Sequence, residues 1–417
     1  MKQNQFLNYP FKNSRNYKGF FFILGFNTKA GNFLVGIKKR NEIVKIGGFS
    51  KGLEENEKDI LIKAIKENGK TIENDTILVD PGICVELEFK GINDHQLVNT
   101  GFLSFQFQLY WEECTWDGLI LENTPVQEEL TYTSLEKLIW KNPLIHKEGY
   151  LSYLAQISSF MLPFLKNKLL TTIRFPHGVP GESFFQKNCP DYAPSFIKSV
   201  EQDENHYIVC NDVSTLLWLG NQLAIEFHIP FQTYESELPN EIVFDLDPPD
   251  REAFPLAIKA AKEMRLIFDS FNIKGYPKVS GSKGIQIHLP IKQNTLTYDD
   301  TRIFTSFISN YLIEKFPNDF TIERFKKNRG KRLYIDYVQH ARRKTIICPY
   351  SARGKEEATV ATPLFWDEIT DDLKIETFTI PFVLERLLTS TCPMNDYFEQ
   401  ENPTLLEVIA KIKETNK

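Results

Sequence analysis

At 417 residues, 42% of them hydrophobic and 25% charged, the chain has the balance of a soluble globular protein of two or three domains. It contains no run of the roughly 18 apolar residues a membrane span needs, and Met1 to Phe11 lacks the layout of a secretion signal, so a cytoplasmic protein with no membrane partner is expected. The net charge of −6 excludes a uniformly basic nucleic-acid binder but not a local basic face; six scattered cysteines without a CxxC pair argue for ordinary thiols, with His206 and Cys210, four apart, only a weak zinc pair.

From about residue 17 to 118, short apolar and aromatic runs (GFFFILGF, GNFLVGI, ICVELEF) alternate with Gly, Asn and Lys turns. One helix is predicted over Glu54 to Asn68, where Ile60, Leu61, Ala64 and Ile65 fall at helical spacing. Several short strands with one helix suit a small Greek-key barrel of the OB type, with an SH3-like barrel as the alternative. Leu119 to Leu130 (LILENTPVQEEL), acidic and carrying Pro125, reads as a linker.

From Thr131 onward helices and strands mix. Helices are predicted at Tyr150 to Met161, stopped by Pro163, and at Val213 to His228, Arg251 to Phe271 and Leu405 to Lys413. TTIRF, EIVFDLDPP, KGIQIHLPI and KRLYIDYV are the strand candidates. The expected fold class is α+β. It comprises a small OB-like barrel over 1–118, a linker over 119–130, and a catalytic domain with a mostly antiparallel sheet over 131–417.

Three segments carry chemistry. In EIVFDLDPPD, Ile242, Val243 and Phe244 lead into Asp245 and Asp247, which share one face of a strand because side chains alternate with period two. Two carboxylates so close repel unless a cation lies between them, and hard oxygen donors favour Mg2+ or Mn2+. Alone, the pair also reads as a strand-end turn capping the next helix. In KVSGSKGIQIHLP, Gly281 and Gly284 bracket Ser282 and Lys283, a loop that suits a triphosphate beside an acid pair, although alone it is an ordinary hairpin turn. Gln286 and His288 follow on one face of the next strand. In GKRLYIDYVQHARRK, Asp336 is a lone carboxylate within the most basic part of the chain, where an ion pair with Arg332 or Arg342 is the simpler use for it. Glu323 to Lys344 holds nine Lys and Arg against two acids, and Thr131 to Val200 holds eight against four, which would suit a phosphate-binding cleft. Taken together, the three segments fit two-metal phosphoryl transfer.

Beyond these features, residues from about 128 to 400 resemble the polymerase domain of bacterial DNA ligase D, of the archaeo-eukaryotic primase superfamily. The resemblance rests on LTYTSLEKLIW, IHKEGYL, MLPFL, RFPHGVPGESFFQKN, LLWLGNQLAIEFH, FDLDPP, SGSKG, GKRLYIDY, CPYSARG and VATPLFWDEI. It implies that Asp245, Asp247 and Asp336 are the catalytic acids and hold two divalent metals. It places the incoming nucleotide, NTP or dNTP, against His228, Ser280, Lys283, Arg353 and either Arg329 or Lys331. Phe184 and Phe185 match aromatics that stack on base or template. Lys137 and Lys147, ten apart, match a pair that reads the 5′-phosphate of gapped or broken DNA. The family's pattern has His where Gln286 stands, and His288 lies two residues later, so either could face the nucleotide. Residues from about 17 to 118 resemble the OB-fold domain of the same ligases. No KxDG motif occurs, which implies a polymerase that does not seal nicks.

The resemblance further implies gap filling or end extension in non-homologous end joining, with Ku and a separate ligase as partners at the bacterial nucleoid. A non-catalytic end-bridging module and a de novo primase are the rival readings.

Overall fold

The computed structural model describes residues 11, 15–73, 75–93 and 96–415. Internal contacts divide the chain into two compact units: residues up to Val126 with Glu148–Gln156, and Gln127–Lys147 with everything from Ile157 onward.

The first unit is organised around Tyr17–Asn27, a strand that buries Tyr17, Phe21, Phe22, Ile23 and Phe26. It pairs antiparallel with Asn32–Lys39 on one side and with Cys84–Phe89 and Thr76–Leu78 on the other. Asn32–Lys39 passes on to Glu42–Phe49, and Cys84–Phe89 to Gly101–Phe105. The sheet curls until its ends approach, where the Phe102 N–H donates to the Lys51 carbonyl at 2.9 Å. Phe33, Phe49 and Phe102 stack inside this barrel-like sheet, with ring centroids 5.2 and 5.8 Å apart. The predicted helix occupies Glu55–Asn68 and buries Leu61 and Ile65, but Ile60 points outward.

The expected linker differs. Trp116–Asn123 is a helix, capped by Thr115 Oγ1 accepting from the Gly118 N–H at 2.9 Å. Leu119, Ile120 and Leu121 are buried, and Asn123 Nδ2 donates to the Lys18 carbonyl at 2.7 Å. Apolar burial outweighs the acidic composition there.

The two larger sheets of the second unit are mostly antiparallel. One runs Phe184–Gln186, Thr171–Arg174, Ala224–Pro230, Thr345–Ile347. The other runs Tyr276–Val279, Ile285–Pro290, Glu241–Asp247, Leu333–Asp336, Phe320–Thr321, with only its last pair parallel. Alternation along Glu241–Asp247 sets Ile242, Phe244 and Leu246 on one face and Glu241, Val243, Asp245 and Asp247 on the other. The apolar face packs on helices Phe254–Ser270 and Tyr298–Lys315, with the Phe244 ring 5.8 Å from Phe268 and 6.1 Å from Phe304.

Helix limits shift for identifiable reasons. Val213–Asn221 ends early because Leu223 takes a φ of +61° and turns the chain into the strand Ala224–Pro230. The continuous apolar run LLWLGNQLAIEF hides that break from periodicity. Lys147–Leu165 runs two residues past Pro163, which forgoes its ladder bond to the Ser159 carbonyl without ending the helix. Phe254–Ser270 starts later than expected, with Pro255 in its first turn. The closing helix spans Thr404–Thr415.

Candidate active site

The strand register brings the acids together. Asp245 lies directly opposite Asp336 on one side and opposite Gln286 on the other, while Asp247 lies opposite Tyr334. Gln286 Nε2 donates to Asp245 Oδ1 at 3.0 Å. Tyr334 Oη donates to Asp336 Oδ1 at 3.1 Å, and the Gln339 N–H donates to the same oxygen at 3.0 Å. Burial, then the charges of Asp247 and Asp336, push the Asp245 carboxyl up to about 7. Burial also raises Asp336.

Cations surround Asp247. Lys283 Nζ reaches its Oδ1 at 3.0 Å, and an Arg329 nitrogen lies 3.6 Å from Oδ2. Arg329 stacks over the Tyr334 ring at 3.7 Å and donates to the backbone carbonyl of Glu323 at 2.8 Å. Arg329 is therefore the basic residue at the acids; Lys331 is exposed.

The SGSKG hairpin needs both its glycines. Gly281 has a φ of +69°, and a Cβ there would meet Arg353 Cγ at 2.7 Å. A Cβ at Gly284 would lie 2.1 Å from the Leu246 carbonyl oxygen, so the hairpin packs against the acid strand only without a side chain. Ser280 Oγ accepts from the backbone N–H groups of Ser282, Lys283 and Gly284 at 3.2, 3.3 and 3.1 Å, which shapes the loop.

His228 and Arg353 form a cluster through a residue that was not anticipated. His228 Nε2 donates to Glu226 Oε2 at 2.9 Å, and Arg353 lies 3.2 Å from that oxygen. Burial alone would raise the Glu226 carboxyl, but His228, Arg353 and the Gly354 N–H outweigh it and hold it at about 2. Burial lowers His228. Glu226 sits two residues before His228 on the same strand face, a signal that alternation could have supplied.

His288 departs from its expected nucleotide-binding place. It is buried, and its Nδ1 bonds Glu241 Oε2 at 2.8 Å; Glu241 also takes Lys168 at 2.9 Å and the Tyr397 hydroxyl at 2.7 Å. Gln286, two residues nearer the acids, occupies the position beside Asp245.

Lys137 and Lys147 flank a hairpin in which Leu138–Trp140 pairs with Ile145–His146, and the Lys147 N–H donates to the Lys137 carbonyl at 2.8 Å. Their ten-residue spacing thus brings them side by side. Lys137 Nζ donates to the Pro176 carbonyl and Lys147 Nζ to that of Thr133 at 2.6 Å. Burial and the Lys137 charge push Lys147 down to about 8. Phe184 and Phe185 lie on the edge strand Phe184–Gln186, 45% and 72% exposed, with Arg174 over the Phe184 ring at 5.3 Å. Their exposure suits stacking.

The weak zinc pair separates, with His206 exposed and Cys210 fully buried. Among the described residues, no three His, Cys, Asp or Glu side chains are already gathered for a metal ion. Asp247 is drawn instead to Lys283 and Arg329. The acid set nevertheless fits a hard divalent cation: the donors are carboxylate oxygens on adjacent strands, and burial together with the neighbouring charges of Asp247 and Asp336 raises Asp245, a repulsion that a cation would relieve. Among the described residues, no helix is long and apolar enough to cross a membrane.

Comparison with known proteins places the fold and the family. The solved polymerase domain of Mycobacterium tuberculosis ligase D, in complex with DNA, superposes with a TM-score of 0.61, covering 66% of this chain and all of that one at 24% identity. The fold is therefore that of a ligase D polymerase domain. Residues 146–394 match the LigD primase-polymerase domain, and the chain belongs to that family. It is 44% identical over 387 residues to the bifunctional non-homologous end joining protein LigD of Bacillus subtilis, covering 93% of this chain but 63% of that protein. It is 28% identical over 267 residues to the multifunctional LigD of Mycolicibacterium smegmatis, covering 62% and 35% respectively.

Proposed function

We propose that the chain is a template-dependent nucleotidyltransferase that fills gaps or extends broken DNA ends in the end-joining repair for which its relatives are named. The reading is carried by Asp245 facing Asp336 across the sheet, with Asp247 on the same face beside a Gly/Lys hairpin. A primer 3′-hydroxyl would lose its proton and attack the α-phosphate of a nucleoside triphosphate, forming a phosphodiester and releasing pyrophosphate. Asp245, Asp247 and Asp336 would hold two divalent cations, Mn2+ or Mg2+, which when bound lower the pKa of the attacking hydroxyl and offset charge on the leaving group.

The chain's own residues supply the rest. Lys283 and Arg329, which lie against Asp247, would turn to the triphosphate. Arg353 and His228, held by Glu226, add donors beside Gly281. Lys137 and Lys147 would take the 5′-phosphate beyond the gap, and Phe184 and Phe185 would stack on template bases. The first unit serves as an OB-like accessory domain, residues 131–417 hold the polymerase, and Ku and a separate ligase complete the repair in the cytoplasm.

Primer extension on a gapped duplex tests the reading. Asp245→Ala with Asp247→Ala should abolish extension and spare end binding. Extension by that variant equal to wild type would remove the acids from the reaction, and end binding by the wild-type chain without any extension would favour a pure end-bridging module, which the paired lysines could serve by themselves. Synthesis on single-stranded template without primer would instead mark a primase.

A further inference from the structure

Lys278 lies on Tyr276–Val279, the edge strand of the five-stranded sheet, yet its side chain is fully buried. Among the described residues, no carboxylate forms a salt bridge with it. Burial pushes Lys278 down to about 7, while the charge of Asp245 favours its ammonium form, which is costly to bury without a bonded partner. Its Nζ donates to Gln286 Oε1. Gln286, 4% exposed, donates in turn from Nε2 to Asp245 Oδ1 at 3.0 Å. Lys278, Gln286, Asp245 and Asp336 are successive register partners, one straight row across four strands.

The row has a fixed polarity. An ammonium only donates, so it claims the oxygen end of the Gln286 amide and leaves the NH2 end toward the carboxylate. With the amide reversed, Oε1 would face Asp245, acceptor against acceptor. We propose that Lys278 is a positioning residue for the metal carboxylates: by holding Gln286 Oε1 it locks the amide with its N–H on Asp245 and fixes the direction in which that carboxylate offers its remaining lone pairs to a divalent cation. The inference rests on the polymerase reading and deepens it. No sequence pattern marks Lys278, because its effect passes through a second strand.

The test uses the full chain as Lys278→Met, Gln286→Leu, the double variant and Asp245→Asn. Mn2+ affinity is measured by electron paramagnetic resonance titration without nucleotide or DNA, and single-nucleotide insertion supplies kcat and KM. Each single variant is expected to weaken Mn2+ binding and lower kcat by roughly 10–100-fold, the usual effect of losing an outer partner of a metal ligand. The KM for nucleotide should stay within about twofold, since Lys278 touches no substrate in this scheme. Because the two residues act in series, the double variant should lose no more than either single one. Wild-type Mn2+ affinity in Lys278→Met, or losses that add in the double variant, would overturn the inference. Should Lys278→Met fail to fold, Gln286→Leu decides, and unchanged Mn2+ affinity there overturns it equally. Asp245→Asn separates the two levels: if it extends primers as wild type does, the assignment of the metal carboxylates fails and the positioning role with it, whereas if it is dead and Lys278→Met is normal only the positioning role falls.

Discussion

Lys168→Met should destabilise the second unit while leaving the acids untouched. Lys168 and Glu241 pair at 2.9 Å with side chains 7% and 5% exposed. Burial would raise the Glu241 carboxyl, but Lys168, His288 and Tyr397 outweigh it and hold it well below the usual range. Removing one member of a buried pair typically costs about 3–5 kcal/mol, because the other charge stays behind uncompensated. Here the Tyr397 and His288 bonds remain, so the lower end, about 3 kcal/mol, is expected. With a urea m-value of roughly 3 kcal/mol/M, the midpoint should fall by about 1 M. Adding Glu241→Gln removes the stranded charge and should return about 1–2 kcal/mol. Urea unfolding followed by far-ultraviolet circular dichroism reads both. A Lys168→Met loss below about 1 kcal/mol, or no recovery in the double variant, would refute the account of His288 and Glu241 as a structural network.

Other outcomes follow from the same geometry. Asp245, raised to about 7 in the folded chain, binds its proton more tightly there than when unfolded. Metal-free stability is therefore full below about pH 4 and lost as pH rises towards 7. The linkage amounts to about 4 kcal/mol, and Asp245→Asn should flatten the fall measured by thermal melts in EDTA. Lys137→Ala with Lys147→Ala should erase the advantage of a downstream 5′-phosphate and reduce the salt slope of gapped-DNA binding by about two, read by fluorescence anisotropy. Lys147 is already lowered to about 8, so in wild type the 5′-phosphate advantage should weaken as pH rises past that value; a flat profile to pH 9 would count against it. Phe185→Ala should weaken template binding by about 1–3 kcal/mol, with unchanged affinity for free nucleotide.

Much of the site was legible because its signals are local. Asp245 and Asp247 share a face by alternation alone, and Gly281, Lys283 and Gly284 announce a tight hairpin. That Asp336 meets Asp245 depends on register between strands about ninety residues apart, which only the resemblance supplied. His288 was misplaced because alternation says which face a residue takes but not how far along the strand it sits. Glu241, at the far end of the acid strand, captures it together with Lys168, 73 residues earlier. The helix Trp116–Asn123 was hidden by acidic residues around its apolar core, although Thr115 three residues before Gly118 was a usable cap signal. The turn at Leu223 left no trace, since a left-handed leucine carries no compositional mark.

The acid strand Glu241–Asp247 is laddered along most of its length by Ile285–Pro290 and, at its acid-bearing end, by Leu333–Asp336 as well. Amides bonded in this way are expected to exchange hydrogen only when the sheet opens. The basic residues that would handle phosphate ride instead on a hairpin and on the short helix Lys326–Arg329, ended by Gly330. On the proposed reading, carboxylate spacing would thereby be insulated from whatever the arginines and lysines do, and nucleotides of different shape would be accommodated by local rearrangement without detuning the acids.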